Sequence, residues 1–456
     1  MTDPATLVSR KNALTLFQAG IAAADPCRSV QRYLSASGDH LEILLNDGLQ
    51  KRSGEWSLVH LIAFGKAACA MIEAAQAIIP AHLLAGKGIA VTNYENVRTI
   101  DNSEVIGAGH PLPDTAGFDA AQKCAERVKS ARQGELVLVL VSGGGSALIP
   151  YPVDPITLQE KIATTDLLLA SGATINQINC VRKHLSQLKG GGLAKMAFPA
   201  DLHALILSDV LGDDVSTIAS GPTVPDATTF SDAIDVFKAK DIWGKVPASV
   251  REYLEQGRLG KVKETPKPGD GLFNNTAYTL IGSNALSVNA TLQAAQALGY
   301  DARIYSHQLC GETTEAAENL VSTAVALVNN GIDKPIALLA GGETTVTLKG
   351  NGRGGRNQEM ALAFAIAAKR QGLTGRWTFL SGGTDGRDGP TDAAGGLIDQ
   401  DTLERLINAD CDPAALLADN DSYNALKSSQ DLIDTGATGT NVADLQILLL
   451  YPHTLY

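Results

Sequence analysis

The sequence predicts an α/β protein of two domains, each with a mostly parallel sheet flanked by helices. Three observations support this class: short β-rich runs alternate with helix-patterned segments, several of these runs are apolar throughout, and glycines cluster directly after them. The alternation indicates βαβ units. Continuously apolar strands are typical of parallel sheets buried on both faces. A chain of 456 residues has the length for two or three domains.

The elements follow from the pattern in chain order. The predicted strands are 59–65, 88–92, 135–143, 202–209, 278–283, 301–306, 335–342, 376–383 and 445–451, with a short β-branched run at 344–348. The predicted helices are 66–79, 114–131, 155–170, 175–189, 285–298, 313–329 and 357–370. Between about 240 and 275 the chain is polar, charged and rich in Pro and Gly, which indicates a domain boundary. We therefore expect domains at 1–255 and 270–456.

Composition excludes several classes of function. The net charge of −12 argues against a nucleic-acid partner. The six cysteines are widely spaced without a C-x-x-C pair, which favours buried free thiols in a reducing compartment over disulfides. The sequence has no secretory h-region and no run of the roughly 18 apolar residues that a membrane span needs. We expect a soluble cytoplasmic protein without a membrane partner; a homodimer is compatible with the sequence.

Two glycine-rich corners follow predicted strands, where ligands of open α/β folds collect. Gly65-Lys66 opens a helix, and a lysine there is disfavoured by the helix dipole unless an anion lies nearby. The alternative is an exposed, solvated lysine. Ser142-Gly143-Gly144-Gly145-Ser146 follows the most apolar strand, and its glycines allow close approach of the backbone to a phosphate or carboxylate.

Charged residues lie near these corners. Arg182 and Lys189 are seven residues apart on a predicted basic helix, so they would share a face, although a C-capped helix with a solvated face explains them equally well. Asp209 follows a strand, and the loop 384–396 carries Asp385; carboxylates at such places suit Mg²⁺ ligation or general-base work. His110 lies beside a proline and is more often structural.

The loop 350–356, GNGRGGR, precedes a predicted helix and matches G-x-G-x-x-G. One interpretation is a dinucleotide site, which would make the protein an NAD(P)H-dependent oxidoreductase. Against this, two arginines crowd the loop, and the next strand ends in glycines rather than in an acid for the ribose. The other interpretation is a phosphate cradle at a helix N-terminus. A non-catalytic binding module is a third class, but it would not need acidic clusters beside the basic ones.

Basic groups, glycine loops and aspartates at strand ends are together the parts of a phosphoryl-transfer site. The known signatures for such a site are missing. His60 stands where a P-loop needs glycine and Ala67 where it needs Ser or Thr. The H-R-D and D-F-G motifs of protein kinases are absent as well. A kinase built from this chain must use another phosphate cradle.

Eight motifs, spread over nearly the whole chain, resemble one known family. They are FGKAA (64–68), VSGGGSAL (141–148), INxxxxVRKHLSxxKGGGLA (175–194), LSDVxGDDxxxIASGPT (207–223), GGETTVT (341–347), GRGGRNQE (352–359), SGGTDGxDGPTDAAG (381–395) and TGTNVxDLxILL (438–449). Together they are similar to the class II glycerate 2-kinases. The resemblance implies a larger, Rossmann-like N-terminal domain and a smaller C-terminal domain of the MOFRL type, with the active site in the cleft between them.

The resemblance also implies an activity. The expected reaction is transfer of the ATP γ-phosphoryl group to the 2-hydroxyl of D-glycerate, giving 2-phosphoglycerate and ADP with Mg²⁺. The alternative is an NAD(P)H-dependent hydroxypyruvate reductase, since members of the family also carry that name.

The resemblance assigns roles to the candidate residues. Lys66 and Arg356 would neutralise charge on phosphate or on the glycerate carboxylate, Asp209 would orient or deprotonate the hydroxyl, and Asp385 would bind the metal. The nucleotide- or substrate-binding candidates are Ser142, Gly143, Gly144, Gly145, Ser146, Arg182, Lys189, Asn284 and Glu343.

Overall fold

The computed structural model describes residues 3–46 and 48–452, which form sixteen α-helices and fifteen strands. The helices are α1 (Pro4–Ala23), α2 (Pro26–Tyr33), α3 (Ala68–Ile78), α4 (Thr115–Lys129), α5 (Gly145–Leu148), α6 (Leu158–Ala170), α7 (Ile175–His184), α8 (Gly192–Ala197), α9 (Phe230–Ala239), α10 (Ala248–Arg258), α11 (Asn284–Ala297), α12 (Thr313–Asn329), α13 (Arg356–Gln371), α14 (Thr402–Asn408), α15 (Pro413–Ala418) and α16 (Ser422–Ser428). The strands are β1 (Leu34–Ser37), β2 (His40–Leu44), β3 (Lys51–Gly54), β4 (Val59–Phe64), β5 (Gly88–Asn93), β6 (Ser103–Ala108), β7 (Leu136–Val141), β8 (Asp201–Leu207), β9 (Thr276–Gly282), β10 (Asp301–Leu309), β11 (Ile336–Gly342), β12 (Trp377–Gly383), β13 (Gly395–Asp399), β14 (Leu432–Ile433) and β15 (Asp444–Leu450). The predicted α/β class is confirmed.

The chain forms two compact units whose boundaries differ from the expected domains. The larger unit is Pro26–Ile281, and the smaller unit comprises the chain up to Asp25 and from Gly282 onward. The first helix therefore belongs with the C-terminal part of the chain. Its residues Leu16 and Phe17 are fully buried in a core shared with β12 and β15. Because helical periodicity shows only that a face is apolar, the sequence did not reveal which sheet covers α1.

The polar stretch between 240 and 275 is not the boundary between the units. It contains α10, whose Val250 and Leu254 are buried in a core of the larger unit. The chain passes between the units after Asp25 and again at the end of β9, after Ile281, and neither point lies within this stretch. Polar composition indicates an exposed surface, and one exposed face is enough to produce it.

The larger unit is built around a six-stranded sheet in the order β6-β5-β4-β7-β8-β9. The pairings from β6 to β8 are all parallel. Every residue of β4 and β7 is buried, as their continuous apolar sequence predicts. A small antiparallel sheet, β1-β2-β3, adds to this unit. Because parallel strands end at one edge, the loops after β4, β7 and β8 lie side by side.

The smaller unit has a mixed sheet, so the prediction of a mostly parallel sheet in each domain was wrong for this half. Its order is β10-β11-β15-β12-β13-β14, and only the β10·β11 pair is parallel. The last strand, β15, inserts between β11 and β12 and runs antiparallel to both. Helices α1 and α11 pack on one core of this unit, and α12 and α13 pack on another. An apolar strand has the same composition in either direction, so sequence alone does not give its orientation.

Two local predictions were also wrong, both near candidate residues. Helix α7 begins with a Thr174–Gln177 capping box and ends at His184, so Lys189 lies beyond the helix and shares no helical face with Arg182. The run 344–348 makes only an isolated bridge, through Thr345, and belongs to the loop between β11 and α13.

All six cysteines are free, and three of them, Cys69, Cys124 and Cys180, are buried. Within the described residues, none of the helices has the length and apolar character that crossing a bilayer requires.

Candidate active site

Lys66 and the glycine-rich loop meet at the carboxyl edge of the larger sheet. The backbone N–H of Lys66 donates to the carbonyl oxygen of Gly143 at 2.9 Å. The N–H of Ala67 donates to Ser142 Oγ at 3.0 Å. Parallel pairing of β4 with β7 places the two corners in register. The Lys66 side chain is exposed, so its charge is available to a ligand at this edge.

The glycines of this loop bring two further side chains close. A Cβ on Gly143 would lie 2.3 Å from a carboxylate oxygen of Asp209, so the carboxylate rests against the loop backbone. Gly144 has φ +85°, and a Cβ there would lie 2.9 Å from the His110 ring. Burial, together with the nearby charge of Lys66, holds the pKa of His110 below its usual range. The edge therefore combines a cation, a carboxylate and a largely neutral imidazole.

Lys189 approaches the same loop from the segment after α7. Its Nζ donates to Ser146 Oγ at 2.7 Å and to the Ser146 carbonyl oxygen at 3.0 Å. Lys189 is only 3% exposed, and burial lowers the pKa of its ammonium well below the usual value. Burial also lowers the pKa of the neighbouring Arg182. The structure thus brings Lys66, Asp209, Arg182, Lys189 and the loop 142–146 together within the larger unit.

Arg356 is at the centre of the candidate group in the smaller unit. Its Nε and Nη2 donate to the two carboxylate oxygens of Asp444 at 2.6 and 3.0 Å, and its Nη1 donates to Glu343 at 2.7 Å. Asp444 is fully buried, and burial raises the pKa of its carboxyl group. Although burial opposes it, the bond to Asp444 raises the pKa of Arg356 further above its usual value. This guanidinium is therefore held by two of the protein's own carboxylates.

Asn284 stabilises the backbone beside Arg356 and Asp444. Its side-chain amide donates to the backbone oxygens of Val442 at 2.7 Å and Asp444 at 2.9 Å. The residue is 6% exposed and begins α11. The structure therefore gives Asn284 a role in fixing the strand that carries Asp444, and a ligand has little access to it.

The glycine and arginine loop does not form the expected phosphate cradle. Asp388 caps α13: its carboxylate accepts the N–H groups of Asn357 at 3.1 Å and Gln358 at 2.7 Å. Further along the loop, Asn351 N donates to Asp419 and Arg353 N to Asp421. The helix N-terminus, where a phosphate or dinucleotide would bind, is already occupied by a carboxylate. Burial raises the pKa of Asp388 to about 6.

Asp385 lies two residues beyond the end of β12, and one of its carboxylate oxygens accepts a hydrogen bond from Arg387 N at 3.0 Å. Within the described part of the chain, no three His, Cys, Asp or Glu side chains form a cluster that would hold a metal ion. Mg²⁺ commonly uses only one or two carboxylates together with substrate phosphates and water. A single partly buried aspartate fits that kind of site and does not fit an all-protein cage.

Sequence reasoning missed three residues that shape these groups. Asp444 was visible inside the NVADL motif, but nothing in its spacing linked it to Arg356, which lies 88 residues earlier. Asp388 was one acid among several in its loop. Lys161 lies on α6, is 6% exposed and lines the same space as Arg182 and Lys189; no sequence signal marks it.

Comparisons with known proteins identify the family. A domain of unknown function, DUF4147, matches residues 12–255, and the MOFRL family matches 336–444. The chain is 41% identical to a glycerate 2-kinase of Pyrococcus horikoshii over 97% of each chain. It is 39% identical to a protein of Agrobacterium vitis named as a hydroxypyruvate reductase, over 95% of this chain and 93% of the other.

A solved structure has a similar fold. The crystal structure of a glycerate kinase from Thermotoga maritima superposes with a TM-score of 0.85 at 40% identity, covering 97% of this chain and 99% of the other. Full-length similarity at this identity, together with both domain matches, establishes that the chain belongs to the glycerate kinase family that combines a DUF4147 domain with a MOFRL domain.

Proposed function

We propose that the protein is an ATP-dependent kinase that phosphorylates D-glycerate on its 2-hydroxyl, giving 2-phosphoglycerate and ADP. The observation that carries the proposal is the edge of the larger sheet, where Lys66, Asp209 and the glycine-rich loop 142–146 meet in a member of the glycerate kinase family. Phosphoryl transfer depends on positioning and on neutralising charge around the transferring group. This edge offers a cation and loop backbone for phosphate, and a carboxylate for the attacking hydroxyl.

Lys66 has the role of neutralising the transferring phosphoryl group. It is exposed at the C-terminal end of β4 and its backbone is fixed to the glycine-rich loop, so the ammonium can reach a bound anion without reorganisation of the loop. Asp209, held against Gly143, has the role of orienting or deprotonating the 2-hydroxyl.

Arg356 and Asp385 have roles in the smaller unit. Because Asp444 and Glu343 hold Arg356 on three sides of its guanidinium, its geometry is fixed before any ligand binds. A preorganised guanidinium of this kind suits a carboxylate or phosphate that takes over the bond to the exposed Glu343. Mg²⁺, which would supply neutralisation of phosphate charge, is proposed to bind Asp385 of this unit.

The reductase alternative is not favoured by any observation on the described residues. In the sequence, the G-x-G-x-x-G pattern pointed to a reductase. In the structure, the Asp388 carboxylate occupies the helix N-terminus that a dinucleotide would use. The free cysteines support a cytoplasmic location, which we also propose. The homodimer stays a prediction that light scattering of the purified protein tests.

The decisive test is a coupled assay with ATP, MgCl₂ and D-glycerate. Coupling directly through enolase detects 2-phosphoglycerate, whereas 3-phosphoglycerate gives a signal only after a mutase is added. We expect an immediate enolase signal, with L-glycerate as the stereochemical control. Absence of ADP release, alongside NAD(P)H oxidation with hydroxypyruvate, would overturn the proposal.

A further inference from the structure

A cavity of about 360 Å³ lies beside the glycine-rich loop of the larger unit. Gly144 and Ser146 form part of its wall next to the loop. Lys161, Arg182 and Lys189 line it from α6, α7 and the segment that follows α7. Three cations from three different elements thus face one space at the carboxyl edge of the sheet.

These cations lack acidic partners. Among the described residues, no hydrogen bond or ion pair joins Lys161, Arg182 or Lys189 to a carboxylate. Lys161 Nζ donates only to the Leu185 carbonyl oxygen, at 2.9 Å, which leaves two of its three N–H donors for a ligand. Lys189 uses its donors on Ser146 and Ala219, so it contributes charge more than hydrogen bonds. A buried cluster of like charge without counterions is costly unless an anion binds there.

Burial shifts the pKa values of these groups in the direction expected for cations without counterions. Burial lowers the pKa of Lys161 to about 7, and the charge of Arg182 adds to the effect. Burial also lowers the pKa of Lys189, which the charges of Lys161 and Arg182 depress further. His110 and Asp166 complete the titratable groups of the cavity wall, and Asp166 is exposed. An anion that entered would reverse these shifts and draw protons into the cavity.

The cavity also has apolar lining. Leu112, Pro113, Ile162 and Leu169 also line the cavity, and the two leucines are unusually exposed, at 64% for Leu112 and 56% for Leu169. Apolar walls with a few convergent polar groups are typical of pockets for ligands of the size of a nucleotide, at about 300–1,000 Å³. A three-carbon acid would leave most of this space empty.

We propose that this cavity is the nucleotide site, with the phosphate chain of ATP on Lys161, Arg182 and Lys189 and the base against the exposed leucines of its lining. The γ-phosphate end would then lie toward Gly144, next to Lys66. The inference rests on the proposed function only for the choice of ATP as the donor. Lys161 is a nucleotide-binding residue that no motif indicated.

Calorimetric titration of the whole protein with the β,γ-imido analogue of ATP tests the assignment. Lys161→Met removes the charge at nearly constant volume, and Lys161→Arg keeps it. Lys240→Met is the matched control, because Lys240 also donates to a backbone oxygen, that of Gly172 at 2.8 Å, but does not line the cavity. We expect Lys161→Met to weaken analogue binding by about tenfold or more, as loss of a charge-assisted hydrogen bond does. Lys161→Arg should recover most of the affinity, and the control should bind like the unmodified protein.

Three further measurements separate the outcomes. Tripolyphosphate should compete with the analogue, D-glycerate should bind Lys161→Met as it binds the unmodified protein, and the analogue should bind with uptake of protons. Thermal unfolding monitors folding, and Arg182→Gln serves as a second variant. Weakened binding of D-glycerate with unchanged binding of the analogue would overturn the assignment, and so would unchanged binding of both. If the protein binds the analogue at this cavity but phosphorylates no glycerate, the proposed function fails while the nucleotide site stands.

Discussion

The candidate-site cations of the two units differ in their partners. In the larger unit, Lys161, Arg182 and Lys189 surround a cavity and pair with none of the described carboxylates. In the smaller unit, Arg356 is held by Asp444 and Glu343. Both regions were predicted from similar signals, glycines and basic residues after a strand. Loops of this kind therefore occur in two different arrangements: beside a cavity lined by cations that pair with no described carboxylate, and in an ion-pair cluster whose anions belong to the protein.

The largest effect is expected from Arg356→Ala. The substitution leaves the fully buried Asp444 without its cation, and breaking a buried pair costs about 3–5 kcal/mol of stability. We also expect kcat/KM to fall by more than about 100-fold, because the proposed role of Arg356 is to bind a phosphate or carboxylate through its preorganised guanidinium. Chemical denaturation and the coupled kinase assay measure the two effects.

Arg303→Ala is the control for Arg356→Ala, since Arg303 pairs with Asp301 on the surface of the same unit and such pairs contribute less than about 1 kcal/mol. The double variant Arg356→Ala/Asp444→Ala should recover stability, because no buried charge is left unpaired, but it should not recover activity. Full activity in the double variant would make the cluster purely structural.

Lys66→Ala should affect activity alone. Its side chain is exposed, so the free energy of unfolding should stay within about 0.5 kcal/mol of the unmodified value. The same substitution should lower kcat/KM by more than about 100-fold, on the order of 3 kcal/mol of transition-state stabilisation. Lys123→Ala, another exposed lysine of the larger unit, should leave both quantities unchanged. An unaltered KM and kcat in Lys66→Ala would remove this residue from the active site.

The sequence predicted nine of the fifteen strands that the described residues form, because their apolar runs are long, and β4, β7 and β11 lie within two residues of the expected ends. It missed the shorter or less apolar strands β1, β2, β3, β6, β13 and β14. It also predicted the loop corners, since the carboxyl ends of parallel strands share one edge. It did not predict pairings that join distant segments. The bond of Asp444 to Arg356, the capping of α13 by Asp388 and the burial of Lys161 depend on tertiary packing, which leaves no periodic trace along the chain.

The pH dependence of stability should distinguish Asp388 from an ordinary surface acid. Burial raises its pKa to about 6, above the roughly 3.9 of an unfolded aspartate. The folded state therefore binds the proton more tightly, and the contribution of Asp388 to stability falls as pH rises from about 4 to about 6 and is constant above that. The total fall is about 3 kcal/mol for two pKa units. The measurement compares the unfolding free energies of Asp388→Asn and of the unmodified protein at each pH. The variant should lack the fall between about pH 4 and about pH 6, and parallel curves would contradict the assignment.

The smallest effect is expected from alanine substitutions at two glycines of the larger unit that have the same positive φ. Gly144 and Gly134 both have φ +85°, so alanine at either position should cost about 1–2 kcal/mol of stability. A Cβ on Gly144 would lie 2.9 Å from the His110 ring, whereas a Cβ on Gly134 would have nothing within 4 Å. Only Gly144→Ala must therefore displace the loop or the ring, and a shift of this kind should lower kcat/KM by about tenfold. Equal kcat/KM in the two variants, at equal stability, would contradict this expectation. The activity would then not depend on the exact position of the glycine-rich loop.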